Sequence, residues 1–172
     1  MNDGFQIYRD SSLSLHAFFY ADWTGDKDTF LSTGAYVVYL NKNLISWSSK
    51  KQRIVARSSI EAEYHSVANT AAEIKWICYL LSDIGIVLSC CPVIYCDNIG
   101  ANQLCLNLVF HSRRKHIAID FHFLRDQVQA GALHVAHISS VDWISDALTK
   151  PLPRQRFLQL KLKIGILSRP LS

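Results

Sequence analysis

Residues that bend or break a chain are scarce: seven glycines and four prolines stand among 172 residues. That excludes a collagen-like repeat and a low-complexity linker, both of which are built from those residues. A large excess of one charge is also missing. The formal net charge of +4 permits a polyanionic partner without requiring one, so the clustering of charges says more than their sum. No apolar run approaches the roughly 18 residues a membrane-spanning helix needs, so the expectation is a soluble chain with no membrane partner. The five cysteines, Cys78, Cys90, Cys91, Cys96 and Cys105, show no C-x-x-C spacing and join no two-plus-two pattern that would hold zinc. No signal peptide is expected ahead of them. They are expected as reduced core thiols of an intracellular protein, with nothing to separate cytoplasm from nucleus.

What is present is apolar surface. Hydrophobic residues make up 49% and aromatics 11% of the chain, and a domain of this size buries roughly 70% of its unfolded surface. One domain is expected over residues 1–153, followed by a basic and apolar tail, 154–172. In that tail Phe157, Leu160, Ile164 and Leu167 have the spacing of a packing helix, while Arg154, Arg156, Lys161 and Lys163 suit a surface extension equally well.

Residues 13–20 alternate loosely, are rich in aromatics and run into a polar stretch at 24–28, which reads as strand then turn. Residues 35–40 and 44–48, joined by Asn41-Lys42-Asn43, read as a hairpin that completes a three-stranded antiparallel meander. Ser58-x-x-Glu61 is a capping box opening a helix whose stripe of Val67, Ala71, Ile74, Cys78 and Leu81 faces a core, ended by Asp83-Ile84-Gly85. One turn before Val67 the stripe reaches Glu63, where a carboxylate needs a partner or a metal.

Val93-Ile94-Tyr95-Cys96 reads as a short buried strand, with Asp97 at its carboxyl end, the usual place of chemistry in α/β sheets. A helix over 99–106 follows, then a helix over 117–130 with Ile117, Phe121, Leu124 and Val128 on one face. Residues 133–138 alternate as a fifth strand, and 141–148 form a short helix carrying Asp142 and Asp146. The order βββαβααβα predicts an α/β fold with one five-stranded mixed sheet and helices on both faces.

Glu63, Asp97 and Asp146 are far apart in sequence, so only a fold can gather them. Gathered carboxylates repel and raise one another's pKa unless a divalent cation neutralises them, which points to magnesium. Two such ions about 4 Å apart can activate water and stabilise the leaving oxygen of a phosphodiester. Taken singly, each acid is as readily a solvated surface group or a helix cap.

In this order, and over nearly the whole chain, "ADWTGD", "LISWSSKKQRIVARSSIEAEY", "VIYCDNIGA", "RRKHIAIDFHFLRDQV" and "DALTKPLP" resemble the ribonuclease H domain that ends the polyprotein of copia-type LTR retrotransposons. The resemblance implies a type 1 RNase H fold and cleavage of the RNA strand of an RNA–DNA hybrid. It also implies two Mg²⁺ ions held by an Asp-Glu-Asp-Asp set, a reverse transcriptase domain as partner in an intact element, and no small-molecule cofactor. Carried over residue by residue, the glutamate corresponds to Glu63, the third acid to Asp97 and the fourth to Asp146. The first acid falls on Tyr20: the family commonly reads "AFSDADWAGD" where this chain reads "AFFYADWTGD".

A neutral phenol with pKa near 10 cannot replace a carboxylate at pH 7, so the resemblance implies strongly impaired hydrolysis. Asp22 shares Tyr20's strand face but lies about 6.5 to 7 Å farther along, which makes it a weak substitute. Further departures are "FLSTGAY" at 30–36 for the family's "RRSTSGY" and "WISD" at 143–146 for "QLAD". With a start at Met1 and no reverse transcriptase ahead of it, the chain is expected to be a decaying fragment of an element.

Two basic clusters, Lys50, Lys51, Arg53 with Arg57, and Arg113, Arg114, Lys115, flank the acids. They are expected to bind the phosphate backbone of a hybrid by shape, without a base code, although such clusters are as often solvated faces. The competing expectation is a non-catalytic nucleic-acid-binding or protein-interaction module kept for its fold. No histidine is given a role: His111, His116 and His122 do not align on one helical face. Trp23, Trp47, Trp76 and Trp143 are expected in core or edge packing.

Overall fold

The computed structural model describes residues 2–9, 12–23, 31–53, 55–96, 115–138 and 152–169. At its centre is β2 (Leu15–Asp22), buried along most of its length on both faces. That is what a run of alternating bulky residues does when both of its sides are packed. It pairs antiparallel with β3 (Thr33–Leu40), and β3 pairs antiparallel with β4 (Asn43–Lys51). The tight connection between β3 and β4 is made possible by Asn41, at φ 53°, a left-handed conformation that asparagine tolerates better than most residues.

On its other side β2 runs parallel to β5 (Val93–Cys96), and β5 runs parallel to β6 (His134–His137). The resulting order, β4-β3-β2-β5-β6, is the five-stranded mixed sheet the sequence predicts. Its meander and its pair of parallel strands stand where expected. The 25-residue helix α1 (Ser59–Asp83) bridges β4 and β5. Its N-terminus is capped by Ser58, whose hydroxyl accepts from the Glu61 N–H at 3.2 Å, as the box requires. The Glu61 carboxylate reaches back one residue farther than the motif implies and accepts from the Arg57 N–H at 3.0 Å.

Strand alternation divides the sheet into two packed faces. Leu15, Ala17, Phe19 and Val38 meet Val67, Ala71, Ile74 and Leu81 of α1 in the main core. Ile94, Val135 and two residues of α2 (Lys115–Gln129), Phe121 and Leu124, join them there. Burying each of these large side chains is worth roughly 1.5–3 kcal/mol. On the opposite face Phe18, Val37 and Tyr39 form a second cluster with Tyr95. His16 is stacked on Tyr39 there, at 5.5 Å between ring centroids.

The chain's two ends meet in a pairing the sequence did not suggest. β1 (Asn2–Phe5) and β7 (Ile166–Arg169) form a separate antiparallel ribbon, preceded by helix α3 (Arg154–Ile164). Leu160 and Ile164 are buried on α3, whereas Phe157 and Leu167 stay exposed. Gly165, at φ 89°, ends the helix in the left-handed conformation that glycine adopts without strain.

Two expectations are corrected. Of the described cysteines Cys96 is buried in the core and Cys78 packs against it. Cys78 and Cys91 are half-buried and Cys90 is exposed, because Cys90 and Cys91 lie in the loop before β5. Trp76 is not packed but stands 58% exposed on the outer side of α1. Trp47 lies on the edge strand β4, with its ring 5.5 Å from that of Phe5. The expected turn at 24–28, the helices at 99–106 and 141–148, Cys105 and Trp143 lie outside the described residues. Among the described residues no helix is long and apolar enough to cross a membrane.

Candidate active site and basic cleft

The acidic expectation rests on one described carboxylate. Glu63 sits in the second turn of α1, half-buried, with its Oε2 screened from solvent. Three residues later on the same helical face, the Ser66 hydroxyl donates to the main-chain carbonyl of Tyr20 at 2.9 Å. The helix carrying Glu63 is therefore fastened to β2 at Tyr20. Gly34, beside Ala21 in the register, makes the approach possible, since a Cβ there would come within 3.2 Å of Ser66 Oγ.

Tyr20 and Asp22 alternate with Phe19 and Ala21, so their side chains lie on the sheet face away from α1. Ala35 stands beside Tyr20 and Thr33 beside Asp22. The Phe18–Tyr95 register brings the carboxyl ends of the parallel strands β2 and β5 to the same edge of the sheet. Asp97 and Asp146 lie outside the described residues. Among the described residues no three His, Cys, Asp or Glu side chains are grouped to hold a metal.

Where the end of β4 passes α1, a cleft of about 490 Å³ opens, lined among others by Lys50, Lys51, Arg53, His65, Ser66 and Asp120. Its geometry follows from the strand. Lys50 lies beside Gly34 and Lys51 beside Thr33, so alternation sends the two lysines to opposite faces. Gln52 then anchors the strand's exit, donating from its main chain to Ser32 O at 2.7 Å and from Nε2 to Ala62 O at 2.7 Å. Arg53 and Arg57 are exposed. Arg113 and Arg114 lie outside the described residues, and Lys115 is the first residue of α2.

Sequence reasoning missed the cleft's inner wall, where His65 Nδ1 and Asp120 Oδ2 lie 2.6 Å apart and join α1 to α2. Nothing in a pair separated by that distance in sequence marks it until the two helices are known to pack together. The cleft thus has a cationic rim and one carboxylate already engaged by histidine, an arrangement suited to an extended anion.

No protein-family model matches this chain. Over 171 residues, 99% of its length, it is 58% identical to the retrovirus-related Pol polyprotein from transposon RE1 of Arabidopsis thaliana. Over 146 residues, 85% of its length, it is 36% identical to the Pol polyprotein from transposon TNT 1-94 of Nicotiana tabacum. The chain spans only 12% and 11% of the lengths of these relatives. Among solved structures, RNase H1 from the halophilic archaeon Halobacterium salinarum matches 85% of this chain and 98% of its own, with TM-score 0.54 and 13% identity. LC11-RNase H1 in complex with an RNA/DNA hybrid matches 76% of this chain and 88% of its own, with TM-score 0.55 and 12% identity. At such identities the structural likeness is one of fold alone.

Proposed function

We infer that this chain, which belongs to the retrovirus-related Pol polyproteins of transposons and has the ribonuclease H fold, is the copia-type RNase H part of such a polyprotein, with its hydrolysis strongly impaired. The activity to which it is heir is endonucleolytic cutting of RNA in an RNA–DNA hybrid, beside a reverse transcriptase in an intact element. The observation that carries the impairment is Tyr20. It occupies the central strand, tied through its carbonyl to the helix of Glu63, and presents a phenol where the family presents its first aspartate.

Two Mg²⁺ ions, when bound, would supply activation of water and stabilisation of the leaving oxygen. Glu63, Asp97 and Asp146 would hold them, and the donor set is then one carboxylate short. β2 stays regular through Asp22, which keeps that acid about 6.5 to 7 Å beyond Tyr20 along the strand. It is therefore a poor replacement. Lys50, Lys51, Arg53 and Arg57, together with Arg113, Arg114 and Lys115, would carry the hybrid's phosphates.

A second reading is favoured by the same tyrosine: a non-catalytic hybrid-binding module in which the basic cleft has outlived the metal site. Binding and cutting, measured together, test both. The unaltered chain is expected to bind a labelled RNA–DNA hybrid and to cut it slowly or not at all. Cutting at the rate of an intact RNase H removes the impairment, and failure to bind the hybrid overturns both readings.

A further inference from the structure

We propose that the outer face of the C-terminal half of α1 is a self-association surface, on which a second copy of this chain docks with its α1 antiparallel. The inward stripe of this helix, Ile74, Ile77 and Leu81, is buried in the core. The outward side is also apolar: Trp76, Tyr79, Leu80 and Ile84 are 58%, 60%, 45% and 62% exposed, and Val87 just beyond is 82% exposed. A helix that is apolar on both sides is ordinarily covered on both. Together these side chains offer roughly 500–600 Å² of apolar surface, the upper end of what a monomer leaves open. Two copies would bury about 1,000–1,200 Å², the lower end of a specific interface.

Charge decides the occupant and the orientation. Lys75 and Asp83 lie four residues before and after Tyr79, each about 6 Å along the axis from it. A two-fold axis beside Tyr79 brings Lys75 of one copy level with Asp83 of the other, twice, whereas a parallel pairing sets like against like. Lys75 is held over the patch, with Nζ 5.9 Å from the Tyr79 ring centroid and 5.5 Å from that of Phe123. One cation balanced by one anion does not suit a phosphate backbone or an anionic membrane, both of which need a positive surplus. It does suit a surface complementary to itself. The basic cleft uses His65, Ser66 and Asn69 at the other half of α1, so docking leaves it open.

The test is sedimentation of the full chain across a concentration series, with circular dichroism of every variant. The unaltered chain is expected to show a monomer–dimer equilibrium that Trp76→Ala weakens at least about tenfold. Lys75→Glu and Asp83→Lys should each weaken it at least about tenfold, because each sets like charges together twice. A mixture of these two variants should dimerise again, since a Lys75→Glu copy and an Asp83→Lys copy restore both pairs; that recovery also demonstrates that both fold. A chain monomeric at every concentration, or dimerisation unchanged by all three substitutions, or a mixture no better than its components, overturns the proposal.

Discussion

Ser66 on α1 donates its hydroxyl proton to the carbonyl oxygen of Tyr20 on the central strand, at 2.9 Å. Tyr20, proposed above to stand at the family's first aspartate position, and the helix that carries Glu63 are thereby tied together. A tyrosine at position 20 in place of an aspartate changes a side chain and leaves intact the bond from the Ser66 hydroxyl to the carbonyl of residue 20 that ties the strand to α1.

Gly34 is part of that junction, and a methyl group there would crowd Ser66 Oγ at 3.2 Å. Gly34→Ala should destabilise the chain by about 1–3 kcal/mol, the range for forcing extra volume into a packed site. Adding Ser66→Ala should cost less than the sum of the two single changes, because the oxygen that clashes is gone. Urea denaturation of the four proteins checks this.

Ser58 caps α1 through the Glu61 N–H. Ser58→Ala should cost about 1 kcal/mol, and Ser58→Asp should recover most of it, since a carboxylate caps equally well. Thermal melts of the three proteins decide.

Burial holds His16 below its ordinary pKa of 6.5. The folded chain then binds fewer protons than the unfolded one just below that value. Stability should be level above about pH 7 and should fall as pH drops through the window between 6.5 and the depressed folded pKa. Its neighbour Tyr39 is pushed up to about 12 by burial, so it stays neutral throughout and supplies no compensating charge. His16→Phe keeps an aromatic ring in the cluster and should flatten this part of the stability–pH curve, as denaturation midpoints on either side of pH 6.5 would reveal.

The rim of the cleft makes a prediction about salt. Replacing Lys50, Lys51 and Arg53 together by alanine should weaken hybrid binding and reduce the slope of log affinity against log salt by up to about 0.9 for each phosphate no longer neutralised. Polarisation titrations at several salt concentrations measure both. An unchanged slope would place the hybrid elsewhere.

The meander, α1 and the parallel pair were legible because they rest on local signals: alternation in β2 and β3, a turn at Asn41, a cap at Ser58, and a stripe from Val67 to Leu81. The place of Glu63 on α1 was legible for the same reason, as a carboxylate that extends an apolar stripe, whereas its role as a ligand is part of the proposal. The β1–β7 ribbon was not, because Asn2–Phe5 and Ile166–Arg169 are too short to show a period and pair only when the chain's ends meet. The His65–Asp120 pair needed the packing of α1 on α2 to be known. Trp76 was misjudged because an aromatic residue on a helix is ordinarily turned inward, and here the inward stripe was already filled by Ile74 and Ile77.

We propose that, among the departures from the family's pattern, the Tyr20 side chain is the one that chiefly holds cleavage down. Cleavage of the RNA strand in a labelled RNA–DNA hybrid with Mg²⁺, by the unaltered chain and by Tyr20→Asp, tests it most directly. Tyr20→Asp is expected to cut at least about 100-fold faster, beyond the effect of losing a group that only orients a metal ligand. Glu63→Gln added to Tyr20→Asp should abolish the gain. Equal rates for the unaltered chain and Tyr20→Asp would contradict the proposal.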